Sequence, residues 1–527
     1  MIFGLFRKRG KEETKKEHLP EGLIMALRDK SYPDMSEQLR LWCECAPSDV
    51  REGVLIEAAE GFGWDSEGRR KIIIFSRFYL KNYVGAFEAA RGFVEPDESF
   101  DADVFTLCLN ILYRNNQFED AFRLLDRIPF DFSLLSNRDD YWILRALIVW
   151  ASGKVDLLKH SIDKAISISP DSPVVMENAL SMYWELGEIE LFECVRERFV
   201  SLGFSNSYGY SLAVLAAGDY KEGFSLMEAR YDMEEAERYI NKALLAHPRW
   251  KGVSLREGKT LLVSAEQGIG DSIQMARYFE ALASSCGGSV TAEVQSELVS
   301  LFEFNFPDVT FLPRIYGSIP PMLFDGWVGM MSFPFLFDTD IDNAPEKQGY
   351  IRAPDYAVEY WRERLSGYGR GGRLKIGLAW SGQPAHRADR RRSISFELIS
   401  TLVSVSDNDF FALQKSVPDL IPGNLVDLSE ELITMADTAG VIQHMDLVVT
   451  VDTSVVHLSG SMGVNTLLLL PFRYEWRWGV EGEKNPWYES VRVVRQSMAS
   501  VWDDPVRDVF LNKIPEIKER ILREHDY

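Results

Sequence analysis

The stretch VSAEQGIGDSIQMARYF, residues 263–279, changes its pattern twice within seventeen residues. A buried-strand pattern leads into Gly268, Gly270 and Asp271, and a helical pattern follows them. This order of strand, turn and helix is typical of a parallel α/β sheet. The glycines permit backbone angles that other residues avoid, and they let a ligand approach the main chain closely. A dinucleotide-binding G-x-G-x-x-G motif is disfavoured, because Ile273 stands where the third glycine would be.

Asp271 has an ordinary structural interpretation. Together with Gln274, three residues further on, it makes a capping-box pattern that satisfies N–H groups at the start of the predicted helix. Capping alone explains the residue, so a functional role depends on residues elsewhere in the chain.

The size and composition of the chain indicate a soluble protein of several domains. At 527 residues it exceeds one ordinary core, and domains of roughly 150 residues would give three or so. The hydrophobic fraction is 46% and the charged fraction 26%, as in soluble globular proteins. The net charge of −22 argues against a nucleic-acid binder and against an anionic membrane partner, because either would be repelled.

The cysteines and the N-terminus predict a cytoplasmic protein. The five cysteines are scattered and lack C-x-x-C spacing, so neither a disulfide framework nor a zinc site is indicated. At the N-terminus, MIFGLFRKRGKEETKKE, the basic cluster follows the apolar run, which is the wrong order for a secretory signal. No run approaches the about 18 apolar residues of a membrane span, so no integral membrane association is expected. Residues 1–34 are predicted to be a flexible solvated tail, or alternatively a Phe-rich peptide that touches a membrane surface.

Residues 35–250 have a helical pattern with turn residues at a nearly constant interval. Examples are LYRNNQFEDAFRLLDRI and VWASGKVDLLKHSIDKAISISP. The turn residues are Asn82, Asn116, Gly153, Gly187 and Gly218, at spacings of 34, 37, 34 and 31. Apolar residues at i, i+3 and i+4 follow each turn, so each two-helix unit has to stack on its neighbours. The pattern resembles tetratricopeptide repeats and predicts an α-solenoid, whose concave surface typically binds a protein or peptide.

After Trp250, short apolar runs alternate with helical stretches, as in parallel sheets with crossover helices. The first series, within residues 251–366, is TLLVSA, SVTAEV and VTFLP. A Gly-rich stretch, GYGRGGR at 367–373, precedes the second series, LKIGLAW, FFALQK, DLVVTVD and TLLLLP. We predict two α/β domains, residues 251–366 and 367–527, with a hinge and a cleft between them. Ligands in such sheets bind at the carboxyl ends of the strands.

Polar side chains follow three strands of the second series. They are His386, Arg387 and Arg390–Arg392 after LKIGLAW, Lys415 after FFALQ, and Asp452, Thr453, Ser454 and His457 after DLVVTV. The last group opens a predicted helix, and free N–H groups at a helix start, with hydroxyls and a lysine nearby, suit a diphosphate. Each feature alone has an ordinary explanation: a solvated basic loop, a surface lysine, or helix capping. Together they predict a phosphate-binding site.

Five motifs resemble the catalytic half of bacterial tetratricopeptide glycosyltransferases, which is similar to heptosyltransferases and more remotely to protein O-GlcNAc transferases. They are LLVSAEQGIGDSIQMARYF, IGLAWSGQPAHRADRRRSI, LQK, VVTVDTSVVHLSGSMGVNTLLLLPF and WRWGVEGEKNPWYESVRVVRQ, with GDYKEGFSLMEARY at the junction. The resemblance covers roughly residues 215–500. It implies a GT-B fold, in which the second of two Rossmann-like domains holds most of a nucleotide sugar. The predicted fold is therefore a TPR-like α-solenoid followed by a two-domain GT-B region.

The resemblance also implies roles for individual residues in a metal-free inverting transfer. The general-base aspartate proposed for the heptosyltransferases falls on Asp271, and the phosphate-binding lysine falls on Lys415. The donor-site pattern D-[TS]-x-x-x-H falls on Asp452, Thr453 and His457. The remaining predicted donor-site residues are Gly268, Gly270, His386, Arg387 and Ser454. No metal ion or cofactor is expected, because the nucleotide sugar is a substrate. Glu266 and Asp325 are alternative acidic candidates for the base.

We therefore expect a glycosyltransferase that moves a sugar from a nucleotide sugar to a protein hydroxyl presented by the repeats. Resemblance to flagellin-modifying enzymes of this domain order makes flagellin the candidate acceptor. The alternatives are a glycan or lipid-linked acceptor, and a repeat scaffold whose transferase half is degenerate. DTDID at 338–342 contains D-x-D, a metal-binding pattern of another glycosyltransferase class, but it is predicted to be a solvated loop. Because every strand-end candidate lies after residue 260, the repeats are expected to be functionally separable from the transferase half.

Overall fold

The computed structural model describes most of the 527-residue chain. The described residues are 25, 60, 66–79, 86, 90, 100–130, 132–232, 240–315, 317–345, 348–383, 389–472, 476–479, 482–497 and 501–525. Asn82, His386, Arg387 and the predicted tail, apart from Met25, lie outside them. The chain divides into two compact units, Met1–Leu144 and Arg145–Tyr527. Across the residues that are described, no helix combines the length and the apolar character that crossing a bilayer requires.

The first unit is helical where it is described. Its helices run over Ser66–Tyr79, Ala102–Arg114 and Phe118–Leu125. Asp101 caps the second helix, because its carboxylate accepts hydrogen bonds from the N–H groups of Asp103 and Val104 at 3.0 and 2.9 Å. The next turn contains Asn116 at φ 59°, which confirms the predicted turn position.

The second unit begins with helices that pack on their neighbours along the chain. After Asp139–Ala151, in which the unit boundary falls, they run over Leu158–Ile168, Pro173–Leu186, Ile189–Ser201, Tyr208–Ala216 and Tyr220–Met227. We call residues 145–232 the helical region. Gly153, Gly187 and Gly218 follow three of these helices with φ of 72°, 75° and 93°. That left-handed conformation ends a helix and favours glycine, so the predicted turns at these positions are confirmed.

The first sheet has four parallel strands in the order β3-β2-β1-β4. They are β1 (Thr260–Ser264), β2 (Ser289–Val294), β3 (Val309–Pro313) and β4 (Gly326–Gly329). In the centre of the sheet Leu262 pairs with Thr291 and Trp327. The helices between β1 and β3 are Ile269–Met275, Phe279–Ser285 and Val299–Asn305. The strand order reverses between β1 and β4.

The second sheet has six parallel strands in the order β10-β9-β8-β5-β6-β7. They are β5 (Lys375–Ala379), β6 (Asp409–Ala412), β7 (Leu425–Asp427), β8 (Leu447–Val451), β9 (Thr466–Leu470) and β10 (Val491–Arg495). The helices Phe396–Val405, Met435–Ile442 and Ser454–Ser461 connect consecutive strands. The order reverses between β5 and β8, where Leu378 pairs with Val449.

Shorter elements complete the described fold. The other α-helices are Phe333–Leu336, Asp355–Arg364, Asp389–Arg392, Asp503–Asp508 and Ile514–His525. Single turns of 3₁₀ or π helix lie at Val155–Leu157, Glu228–Asp232, Lys242–Ala246, Ala276–Tyr278, Ser296–Leu298, Met330–Ser332, Trp476–Trp478 and Val509–Lys513. Gly369, Gly371 and Gly372 all have positive φ just before β5, so the predicted Gly-rich hinge is a series of tight turns.

The junction segment GDYKEGFSLMEARY joins the helical region to the sheets through an apolar core. Phe224 is 1% exposed, and its ring centroid lies 5.3 Å from that of Trp476 and 6.0 Å from that of Trp487, edge to face in both cases. Tyr220 contacts the same two indoles. Because edge-to-face aromatic pairs are favourable beyond the area they bury, this packing ties the helix Tyr220–Met227 to the part of the chain that contains the two sheets.

Candidate functional site

The carboxyl ends of both sheets open into one cleft of about 1190 Å³. On one side it is lined by the segments after β1 and β3, and on the other by the segments after β5, β6 and β8. The cleft predicted between the two α/β domains is therefore present. Lysine and arginine side chains line it from both sides, namely Arg314, Arg392, Lys415 and Arg477.

The cleft includes the point where the strand order of the second sheet reverses, which is where α/β sheets bind ligands. Thr453 caps the helix Ser454–Ser461, because its hydroxyl accepts a hydrogen bond from the N–H of Val455 at 3.3 Å. Asp452 is 7% exposed, and its carbonyl accepts from Nη1 of Arg392 at 2.7 Å. The predicted helix start is confirmed, and Arg392 is bonded directly to it.

Lys415 lies three residues beyond β6 and lines the cleft, as the sequence predicted. Its ammonium donates to the carbonyl of Leu432. The neighbouring Gln414 fixes the local backbone, since its side-chain oxygen accepts from the N–H groups of Trp380 and Ser381 at 2.8 and 3.2 Å. An exposed lysine on a well-bonded strand end can present its charge to an anion in the cleft.

The helix after β1 starts earlier than the capping-box pattern predicted. Gly268 is the N-cap of Ile269–Met275, and Asp271 is the third residue of the helix. Asp271 does cap the helix, but by accepting the N–H of Gly268 at 2.8 Å from inside the first turn. Gln274 is fully buried and is not the capping partner. The prediction of Asp271 as the N-cap residue was therefore wrong, because the helix begins before the aspartate.

The two glycines of this loop provide space rather than unusual backbone angles. Gly268 has φ −81°, and Gly270 is not among the described glycines with positive φ. A Cβ added to Gly270 would lie 2.5 Å from Cδ2 of His457. The predicted need for special angles was wrong; Gly270 is needed because the His457 ring packs against its backbone.

Arg477 is a cleft residue that the sequence analysis did not single out. It is 5% exposed and lies in the Trp476–Trp478 turn of the motif WRWGVEGEKNPWYESVRVVRQ. Its guanidinium forms an ion pair with Oδ1 of Asp271, and its Nε donates to the side chain of Gln274 at 2.9 Å. The Asp271 side chain keeps 20% of its surface exposed. The carboxylate is therefore held in one orientation at the surface of the cleft.

His457 is a neutral side chain in this environment. It is 5% exposed, and its Nδ1 lies 2.9 Å from the hydroxyl of Tyr488. Burial lowers the pKa of His457 well below its ordinary value of 6.5, and nearby Arg477, Arg277 and Arg392 lower it further. The residue lines the cleft as predicted, but it can offer a ligand a neutral hydrogen bond and no charge.

The alternative acidic candidates are bound to other partners, although Glu266 also lines the cleft. Glu266 pairs with the fully buried Arg230, whose Nε lies 2.8 Å from Oε1, and it also accepts from the N–H of Met331 at 2.8 Å. Asp325 lies before β4, at the opposite edge of the sheet from the cleft. A hydrogen bond from Lys259 lowers the pKa of Asp325. Asp271 is therefore the best-placed of the three carboxylates.

The motif DTDID lies in an exposed turn. Asp338, Asp340 and Asp342 are exposed in a turn after Phe333–Leu336, as predicted. Among the side chains that are described, no three His, Cys, Asp or Glu residues group so as to hold a metal ion.

Tyr208 is a second cleft residue that the sequence did not reveal. It begins the helix Tyr208–Ala216 of the helical region, and its hydroxyl accepts from Nε2 of Gln267 at 3.3 Å. No motif marked it, because its relevance arises only from the packing of distant segments. The helical region thus forms part of the cleft wall.

Comparison with known proteins gives distant similarities. No protein-family model matches the chain. Protein FlbA of Caulobacter vibrioides is 24% identical over 380 residues, an alignment that covers 65% of this chain and 61% of FlbA. The chain thus spans less than two thirds of the length of that relative.

The solved structures with which the chain aligns include the kinds of glycosyltransferase that the sequence motifs resemble. A family 9 glycosyl transferase from Veillonella parvula aligns with 52% of this chain and 99% of its own, with 11% identity and a TM-score of 0.38. Heptosyltransferase II of E. coli aligns with 51% of this chain and all of its own, with 13% identity and a TM-score of 0.34. A mutant O-GlcNAc transferase of Thermobaculum terrenum aligns with 90% of this chain and 94% of its own, with 11% identity and a TM-score of 0.30.

Proposed function

We propose that the cleft binds the diphosphate of a nucleotide sugar and that the chain is a glycosyltransferase. The observation that carries the proposal is the arrangement at the second sheet. Arg392, Lys415 and the start of the helix Ser454–Ser461 line one cleft at the carboxyl ends of β5, β6 and β8. Cations and N–H dipoles at a strand-order reversal suit a diphosphate, and here they collect in a chain with a net charge of −22.

In the proposed reaction the acceptor hydroxyl oxygen forms a bond to the anomeric carbon, and the bond from that carbon to the diphosphate oxygen breaks. Asp271 takes the proton of the hydroxyl, since its carboxylate has lone pairs beyond those used by Gly268 and Arg477. The negative charge that develops on the leaving diphosphate is stabilised by Lys415, Arg392 and the N–H groups at the start of the helix Ser454–Ser461. Attack from the face opposite the leaving group inverts the anomeric configuration. The side-chain cations stabilise the diphosphate, so the proposed reaction uses no metal ion.

The acceptor side of the proposal rests on the helical region. We take residues 35–250 as a TPR-like solenoid that presents a protein hydroxyl, with flagellin as the candidate acceptor and the cytoplasm as the location. The glycine turns at near-constant spacing and the position of Tyr208 on the cleft support this assignment. The GT-B domains would then be residues 251–366 and 367–527.

A thermal-shift screen with UDP-, GDP-, ADP- and CMP-sugars tests the donor assignment, and a shift with the CMP-sugar alone, which carries a single phosphate, would contradict the diphosphate site. A ligand present at 100 times its dissociation constant adds about 2.7 kcal/mol to the free energy of unfolding. We expect one nucleotide class to raise the melting temperature. If none does so at millimolar concentration, the proposal is wrong and a scaffold with a degenerate transferase half is the better description. Intact-mass spectrometry of flagellin from cells with and without the gene tests the acceptor, and an unchanged mass would leave the glycan or lipid-linked acceptor.

A further inference from the structure

Arg391 is not among the described residues that line the cleft, and its guanidinium contacts two side chains of the helical region. The carbon at the centre of its guanidinium lies 3.6 Å from the centroid of the Trp150 ring. The same guanidinium pairs with Glu185, whose carboxylate also accepts the indole N–H of Trp150. Arg391 is only 8% exposed. Its predicted part in a solvated or anion-binding loop is therefore wrong for this side chain.

The chemistry of this clamp (Trp150, Glu185 and Arg391) makes it rigid. A planar guanidinium stacks on an aromatic face while its edge bonds a carboxylate, a combination that a lysine cannot reproduce. Removing either partner of the buried ion pair between Arg391 and Glu185 would leave the other charge uncompensated. The three groups therefore hold one another in place. The indole hydrogen bond fixes the carboxylate as well.

The next residue, Arg392, lies on a different face of the same short helix, Asp389–Arg392, and lines the cleft. Its Nη1 donates to the carbonyl of Asp452, and its Nε lies 3.4 Å from Oδ1 of Asp389. A Cβ on Gly382 would lie 2.4 Å from that Oδ1 and 2.6 Å from Nη2 of Arg392. This helix therefore fits tightly between the cleft and the helical region, with little freedom to shift.

We propose that Trp150, Glu185 and Arg391 are positioning residues for the diphosphate site. By anchoring one side of Asp389–Arg392 they set where the Arg392 guanidinium sits relative to Asp452 and to the phosphates of a bound donor. The helical region is then a structural part of the donor site, in addition to any role in holding an acceptor. This inference rests on the proposed function, because it assumes that a diphosphate binds beside Arg392.

Titration calorimetry of the full chain with inorganic pyrophosphate tests the inference. Arg391→Ala is expected to weaken pyrophosphate binding about tenfold, the equivalent of one misplaced charged hydrogen bond. Arg391→Lys should fall between the wild type and Arg391→Ala, because lysine keeps the charge but not the stacking. Glu185→Gln should also weaken binding, and combining it with Arg391→Ala should add little, since both changes break one unit.

Arg198→Ala is the matched control. Arg198 forms an exposed ion pair with Asp171 at 2.9 Å, also within the helical region but away from the cleft residues. It should leave pyrophosphate affinity unchanged. If Arg391→Ala does not fold, judged by its melting temperature, Arg391→Lys and Glu185→Gln decide the question. Folded variants that bind pyrophosphate as tightly as the wild type would overturn the positioning role alone. A wild type that binds neither pyrophosphate nor any nucleoside diphosphate would overturn the proposed function and this inference together.

Discussion

Asp271 is held at the edge of the cleft by two different donors. The N–H of Gly268 fixes one carboxylate oxygen, and the guanidinium of Arg477 fixes the other. Such an arrangement keeps the carboxylate oriented, which a base needs before it can accept a proton. The same bonds make Asp271 a structural residue, so its two functions have to be separated by measurement.

Replacing Asp271 with Asn should slow sugar transfer by about 10² to 10⁴-fold while nucleotide binding persists, because an amide is not a base. The amide oxygen can still accept the N–H of Gly268. Loss of the ion pair to Arg477 should cost about 1–3 kcal/mol of stability. Initial rates and melting temperatures measure the two effects. Asp340→Asn, in the exposed turn, is the control and should change neither. Normal turnover by Asp271→Asn would place the base elsewhere.

Gly270 is predicted to tolerate no side chain. A Cβ there would lie 2.5 Å from the His457 ring, so Gly270→Ala should cost about 1–3 kcal/mol through overpacking and should weaken nucleotide binding. Gly423→Ala is the control: nothing lies within 4 Å of its added Cβ, and its φ is not positive, so stability should hold or rise slightly. Denaturation midpoints compare the two variants. Equal midpoints would show that the histidine moves aside freely.

His457 should make stability depend on pH. Its pKa is lowered in the folded chain, so below about pH 6.5 the unfolded chain takes up a proton that the folded chain does not. The stability that neutral His457 contributes is therefore complete above that pH and is lost as the pH falls. Between pH 7.5 and 5.5 the loss should be on the order of 1 kcal/mol, and it should vanish in His457→Asn. Urea unfolding followed by tryptophan fluorescence measures it. Identical pH dependence in both proteins would contradict the neutral assignment.

At the scale of elements, long apolar runs predicted strands well and short ones did not. All seven runs quoted for the two series are strands, whereas β4, β7 and β10 were missed. β4 has four residues, two of them glycine; β7 has three; and β10 is an edge strand with two arginines among its five residues. Strands so short or so mixed carry too little periodicity to be recognised.

In the candidate site, too, some residues could be predicted from the sequence and others could not. Residues directly after a predicted strand, such as Lys415 and Thr453, could be found from the sequence because strand ends meet at one edge. Arg477 could not, because its place depends on bonds to Asp271 and Gln274, more than 200 residues away in the chain. Such contacts leave no local pattern.

Thr453 tests the helix start as a phosphate site. Thr453→Ala should cost about 1 kcal/mol of stability by removing the N-cap, and it should weaken pyrophosphate binding about two- to tenfold. Ser395→Ala is the matched control, since Ser395 caps Phe396–Val405 by accepting from Leu398 at 3.4 Å and does not line the cleft. It should cost similar stability and leave affinity unchanged. Equal pyrophosphate affinities in the two variants would show that the start of the helix Ser454–Ser461 does not bind the phosphates.

At the scale of the whole molecule, the helical region and the two-sheet region, residues 251–527, are less separable than the sequence predicted. Tyr208 lines the cleft, Phe224 packs on Trp476, and Glu185 holds Arg391. The expectation of independence came from the position of the strand-end residues in the chain, which says nothing about where the helices pack. Surface changes on the helices near Gly153 and Gly187 should therefore be chosen to leave Trp150 and Glu185 intact.

We propose that the cleft binds a nucleoside diphosphate through cations of the second sheet. Equilibrium titration of the full chain with UDP, GDP and ADP tests this, with CMP, which carries a single phosphate, as the comparison, and is repeated for Lys415→Ala and for the surface control Lys221→Ala, whose side chain is 63% exposed. We expect that one of the three diphosphates binds the wild type, that pyrophosphate competes with it, and that Lys415→Ala weakens its binding about ten- to a hundredfold while Lys221→Ala does not. Binding of none of the three diphosphates, or equal binding by the wild type and Lys415→Ala, would show that the proposed diphosphate site is wrong.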